Sequence, residues 1–155
     1  MKIILLTHQR ELKKSTNTGS LVVDVLADKA EVIVWHRKNP SPRLLDYIAQ
    51  GSTALLYPSN ESLLISQSDD YQRYIIIDGT WQEAQKIFNR SPYLHDLPGV
   101  KIQLDGASAY NLRRNQRPDC LCTAECAIEA LKARGLDDYA CDLQSSFISY
   151  LSPGG

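Results

Sequence analysis

The strongest constraint on this chain is an alternation of short apolar runs with amphipathic helical segments. Lys2–Thr7 and Arg73–Asp78, the latter with three consecutive isoleucines, are apolar without alternation. Strands buried on both faces read this way. Similar runs at Glu31–Trp35, Thr53–Tyr57 (stopped by Pro58) and Val100–Leu104 predict five strands. Helical signals fall between them. Asn17 or Thr18 can cap a helix carrying Val22, Val25 and Leu26, and Arg43–Gln50 is closed by Gly51. Thr80 followed by Glu83 forms a capping box ahead of Trp81, Ala84, Ile87 and Phe88. Thr123 opens a helix with Ala124, Ala127, Ile128 and Leu131 inward, ended by Gly135, and a last helix covers Asp138–Leu151. Strands alternating with helices imply an α/β fold, a mostly parallel sheet with helices on both faces. At 155 residues the chain reads as one domain over 1–155.

Such sheets bind ligands at the C-terminal ends of their strands. Thr7-His8, Trp35-His36, Tyr57-Pro58, Asp78-Gly79 and Leu104-Asp105 occupy those ends. In Asp78-Gly79-Thr80-Trp81 an acid closes a strand, a glycine turns the chain and a threonine opens a helix. A helix N-terminus presents unpaired N–H groups and a positive dipole end. Trp81 in its first turn is either core or an aromatic face for a ligand, and such faces attract cations, a sulfonium included. No glycine-rich phosphate loop and no nucleophile elbow is present.

Charge and cysteines exclude other classes. With 17 Lys+Arg against 18 Asp+Glu the net charge is −1, so nucleic acid is not coated by bulk charge. A local surface remains open: Tyr110 to Pro118 interleaves an aromatic with Arg113, Arg114 and Arg117, and Lys13 and Lys14 lie in an earlier polar loop. Cys120, Cys122, Cys126 and Cys141 lack the spacing of zinc knuckles, so no metal is expected. His8, His36 and His95 form no metal spacing, and only His8 sits at a strand end. The longest apolar runs fall short of the ~18 residues of a membrane span, and the first residues read as a strand rather than a signal peptide. A cytoplasmic, non-membrane protein is expected.

Together these segments resemble the DTW-domain family, the tRNA-uridine aminocarboxypropyltransferases. Asp78-Gly79-Thr80-Trp81 fits the family's Asp-x-Thr-Trp signature, followed by Gln82-Glu83-Ala84. Thr7-His8-Gln9-Arg10-Glu11, Asn17-Thr18-Gly19, Leu56-Tyr57-Pro58, Leu97-Pro98-Gly99-Val100, Tyr110-x-Leu112-Arg113 and Leu121-Cys122-Thr123-Ala124-Glu125 match further segments in order, over roughly residues 3–132. Gln9 stands where the family usually has proline.

The resemblance implies a SPOUT-like sheet with a trefoil knot towards the C-terminus. It also implies transfer of the 3-amino-3-carboxypropyl group from S-adenosylmethionine to N3 of a uridine in tRNA, by a monomer, with no metal and no DNA. Related ribosomal RNA enzymes imply that Leu56 and Pro58 line an adenine pocket, with Val100 near the adenine and the Ile77 backbone at the ribose. Trp81 would pack on the sulfonium and Thr18 hold the amino acid end. Asp78 would be the general base, Arg113, Arg114 and Arg117 would hold RNA phosphates, and Glu125 would orient the knot loop. The zinc-ribbon-like cysteine cluster that precedes the domain in relatives is expected to be absent. A methyltransferase of the same broad fold and a non-catalytic RNA-binding module are the alternatives.

Overall fold

The computed structural model describes residues 1–12, 18–57, 62–68, 70–102 and 123–151. Six parallel strands form one sheet in the order β2-β1-β5-β3-β6-β4. They are β1 (Lys2–Thr7), β2 (Ala30–Val34), β3 (Thr53–Leu56), β4 (Leu63–Leu64), β5 (Arg73–Asp78) and β6 (Gly99–Lys101). The strand read over Val100–Leu104 starts instead at Gly99 and ends at Lys101, with Ile102 already outside it; residues 103–104 lie outside the described residues. β4 has two residues, too few to leave a periodic signal.

β5 is inserted between β1 and β3, with Lys2 to Thr7 opposite Arg73 to Asp78 and Thr53 to Leu56 opposite Arg73 to Ile76. A strand with neighbours on both edges and helices on both faces has no exposed side, which is why its residues are isoleucines rather than an alternating set. The period of two divides them: Tyr74 and Ile76 enter one core, Ile75 and Ile77 the other.

The first core packs under α1 (Gly19–Leu26), α5 (Thr123–Ala133) and α6 (Asp137–Leu151). The second packs under α2 (Pro42–Gln50), α3 (Trp81–Asn89) and α4 (Pro92–His95). Helices therefore cover both faces, as the alternation implied. No helix among the described residues is long and apolar enough to cross a membrane.

The ends of the helices follow from their residues. Ser41 caps α2, its Oγ accepting from the Leu44 N–H at 3.4 Å with Pro42 in the first turn. The capping box of α3 is complete: Thr80 Oγ1 accepts from Glu83 N–H at 3.2 Å, and Glu83 Oε1 accepts from Thr80 N–H at 2.8 Å. Gly135, with φ +75°, closes α5 through Leu136 N–H donating to Leu131 O at 2.9 Å, a Schellman closure. Thr18 stands at the N-cap of α1 without capping it. Asn17 lies outside the described residues, as does the loop that would carry a trefoil knot.

Candidate active site

The C-terminal ends of β1, β5 and β3 lie side by side, because β5 enters the sheet between two strands laid down earlier in the chain. The fold places two distinct clusters at these ends. One is polar and buried beneath α5; the other is aromatic and half-buried beside α3.

Asp78 belongs to the polar cluster. It shares parity with Tyr74 and Ile76, so its carboxylate turns toward the face covered by α5, and it is 2% exposed. Thr123, the first residue of α5, donates to its Oδ1 at 2.7 Å. Thr7 Oγ1 lies 3.3 Å from its Oδ2 and also 3.3 Å from Leu5 O, so that hydroxyl proton is shared between two acceptors. Thr18, fully buried, accepts the Ala124 N–H on its Oγ1 at 3.0 Å. Its hydroxyl thus satisfies the N-terminus of α5, 106 residues away, rather than capping its own helix. The structure brings Asp78 and Thr18 together through Thr123-Ala124.

Trp81 belongs to the aromatic cluster. It stacks on Tyr57 (5.7 Å between centroids, 24°), and Tyr57 stacks on Phe88 (4.4 Å, 15°). Trp81, Tyr57 and Phe88 are each partly exposed, so their rings are not wholly spent on the core. An aromatic face held in place by its neighbours is of the kind that attracts a cation such as a sulfonium.

Gly79 separates the two clusters for a steric reason. A Cβ there would sit 3.0 Å from both Cβ and Oε1 of Glu83, the side chain that completes the α3 cap. His8 flanks them just after β1. Its N–H donates to Asp78 O at 3.1 Å, its Nδ1 accepts from Arg10 N–H at 3.1 Å, and its ring stacks on Trp35 at 5.9 Å. Because Nδ1 is already an acceptor, its 3.6 Å approach to Glu83 Oε2 is a contact and not a hydrogen bond.

Leu56, Ile77 and Val100 have their side chains in the cores, at most 9% exposed, with Leu56 and Val100 paired in register. A ligand at these strand ends meets chiefly their backbone. Pro58, Arg113, Arg114 and Arg117 lie outside the described residues, as do Cys120 and Cys122. Cys126 is half-buried in α5 and Cys141 exposed in α6. Among the described residues no three His, Cys, Asp or Glu side chains converge as a metal site. Thr7 and Tyr57, partners of Asp78 and Trp81, had no local sequence signal beyond standing at strand ends. Their roles depend on which strands become neighbours.

Three comparisons bear on this arrangement. A DTW-domain profile matches residues 1–152. The tRNA-uridine aminocarboxypropyltransferase 2 of Drosophila melanogaster is 33% identical over 141 residues, covering 84% of this chain and 55% of that protein. The protein of the same name from Macaca fascicularis is 30% identical over 145 residues, covering 88% and 49%. The chain thus spans about half the length of the curated relatives it matches. Among solved structures, the SAM-dependent rRNA:acp-transferase Tsr3 from Vulcanisaeta distributa superposes with a TM-score of 0.57 at 17% identity, over 92% of this chain and 71% of that one. That likeness establishes a shared fold. The profile match over nearly the whole length, together with the Asp78-Gly79-Thr80-Trp81 turn seen here at a strand end, establishes the family: the chain belongs to the DTW-domain family.

Proposed function

We propose that this chain transfers the 3-amino-3-carboxypropyl group of S-adenosylmethionine to N3 of a uridine in tRNA. The observation that carries the reading is the half-buried Trp81–Tyr57 stack at the strand ends, one turn from the buried Asp78 carboxylate. The names of the curated relatives support the activity, and their 28–33% identity favours tRNA over the ribosomal RNA named for the 17% identical neighbour. The reading places the protein in the cytoplasm with its tRNA, working as a single chain.

The donor is assigned to these residues, although the Thr18 side chain is buried on the Ala124 N–H. The Trp81 face would hold the sulfonium and cover its methyl group, Thr18 would stand at the amino acid end, and the backbones at Leu56, Pro58, Ile77 and Val100 would border the nucleoside. S-adenosylmethionine supplies an electrophilic carbon whose bond to a sulfonium breaks with the electron pair passing to sulfur. Which of the three carbons on sulfur faces the acceptor is then a matter of orientation, and orientation supplies much of the rate. Uridine N3 must lose its proton to become nucleophilic. Asp78 is assigned as the acceptor of that proton by its place at the strand end. A second reading of Asp78 rests on one observation: with Thr123 and Thr7 on its oxygens it ties α5 to β1 and β5. Arg113, Arg114 and Arg117 would hold RNA phosphates, and no step needs a metal.

A methyltransferase would turn the methyl carbon toward the acceptor, and a non-catalytic RNA-binding module would bind RNA without S-adenosylmethionine. Nucleoside mass spectrometry of RNA from cells with and without the chain tests the reading. A uridine carrying an aminocarboxypropyl group, present only with the chain, is expected; a methylated nucleoside in its place, or no difference, contradicts it.

A further inference from the structure

The strand-end loop after β2, His36 to Ser41, is joined to the turn after β1, Gln9 to Glu11. Trp35 N–H donates to Thr7 O at 2.9 Å, the His8 ring stacks on Trp35, and Gln9 Nε2 lies 3.0 Å from His36 Nδ1. These two loops form one surface. Its outward side chains include Arg10, Arg37 and Lys38, all exposed.

None of these three cations makes an ion pair among the described residues. Some cations elsewhere do, with Lys2 and Arg43 converging on Glu31, Arg134 on Asp70 and Lys132 on Glu129, while Lys29, Arg73, Lys86, Arg90 and Lys101 also stand without an ion pair among the described residues. No Asp or Glu occurs between Val32 and Leu45, so the loop supplies no local counter-charge. Several exposed acids lie instead over α1 and α6. Asp24 and Asp28 at α1, and Asp137, Asp138 and Asp142 on α6, are all exposed there. At the β1–β2 strand ends an approaching polyanion therefore meets exposed cations with no counter-charge from the loop itself.

Position adds to charge. The β2 end is two strands from the β5 end that carries Asp78, about 10 Å at the usual spacing between strands. That is close enough for an RNA whose target base sits at the strand ends to lay its neighbouring phosphates on this surface.

We propose that Arg10, Arg37 and Lys38 form a phosphate-binding surface for the acceptor RNA, in addition to the arginines at 113, 114 and 117. The inference rests on the reading of the chain as an RNA-modifying enzyme and names where its substrate lies. Phosphate contacts position an RNA without reading its sequence. The surface thus sets the approach of the RNA, and the choice of uridine is made elsewhere.

The test is filter binding of unfractionated tRNA across a salt series, with wild type, the triple variant Arg10→Gln/Arg37→Gln/Lys38→Gln, and the control pair Lys29→Gln/Lys132→Gln on the acidic side. Thermal melts of all three establish that they are folded; the three side chains make no described ion pair, so folding is expected to survive. Each phosphate contact contributes about one unit to the dependence of log affinity on log salt. The triple variant is expected to lose about three units of slope and to bind more weakly at low salt, while the control pair keeps the wild-type slope. A triple variant with wild-type slope and affinity overturns this surface and leaves the enzymatic reading standing. Equal losses in the control pair also overturn it, since net charge alone would then explain the effect. Wild-type protein with no salt-dependent tRNA binding overturns both the surface and the enzymatic reading.

Discussion

At the scale of single residues, Asp78 and Trp81 are three positions apart in the chain but are held by opposite sides of the structure. Trp81 stacks on Tyr57, which itself stacks on Phe88, over the α3 side; Asp78 faces Thr123 of α5. Their jobs are accordingly separable by mutation. Trp81→Ala is expected to weaken S-adenosylmethionine binding by about 1–3 kcal/mol, the loss of a partly desolvated aromatic contact to a cation. Calorimetric titration showing unchanged affinity would remove Trp81 from the site. Asp78→Asn is expected to retain the donor and slow transfer by roughly 10²–10⁴-fold, the contribution of a positioned base. Its pH–rate profile should lose the limb that reports the base. A variant that melts earlier but transfers at the normal rate would leave Asp78 only the tie between α5 and the sheet. The motif itself was legible because acid, glycine, threonine and tryptophan are consecutive. What Asp78 bonds was not legible, since Thr7 and Thr123 lie 71 and 45 residues away.

At the scale of elements, α3 is the clearest case of sequence specifying structure. Thr80 and Glu83 satisfy each other's backbone donors, and the helix starts at Trp81. Thr80→Ala should cost about 1 kcal/mol of stability through the lost cap, read as a lower midpoint in denaturant titration at unchanged slope. An unchanged midpoint would mean that tertiary packing alone fixes the helix start. Other elements escaped the sequence for a physical reason. α4 spans Pro92–His95 and β4 only Leu63–Leu64, and neither is long enough to show a period. α4 is instead anchored from a distance, by Trp35 Nε1–H donating to Ser91 Oγ at 2.9 Å. Thr18 misled in the opposite sense. A threonine before an apolar helix reads as a cap, but its hydroxyl serves α5.

At the scale of the whole molecule, the two faces of the sheet were readable from the parity of apolar residues, and the strand order was not. Insertion of β5 between β1 and β3 depends on pairings across some 70 residues that no local pattern encodes. That insertion nevertheless creates the site, because it sets Thr7, Asp78 and Tyr57 beside one another. A charge cluster sits on β2, one of the two edge strands. Glu31 on β2 takes Tyr47 OH at 2.8 Å and Lys2 Nζ at 3.0 Å, and pairs with Arg43 of α2. Partial burial pushes the Glu31 carboxyl up, but the bonds from Arg43, Lys2 and Tyr47 outweigh it and hold the group at about 2 against an ordinary 4.5. A depressed carboxyl contributes stability above its unfolded value and loses it as pH falls through the folded one. Glu31→Gln should therefore destabilise by about 1 kcal/mol or less at neutral pH, given its exposed partner Arg43. That difference should shrink between pH 4.5 and about 2 in acid titrations of the melt. A difference independent of pH would assign the loss to packing. The account as a whole stands on which group leaves the sulfonium. Purified protein, tRNA and S-adenosylmethionine labelled either in the carboxyl carbon or in the methyl carbon decide it in one assay. The account predicts that the carboxyl label enters the RNA and the methyl label stays with the small-molecule product; entry of the methyl label into the RNA would contradict it.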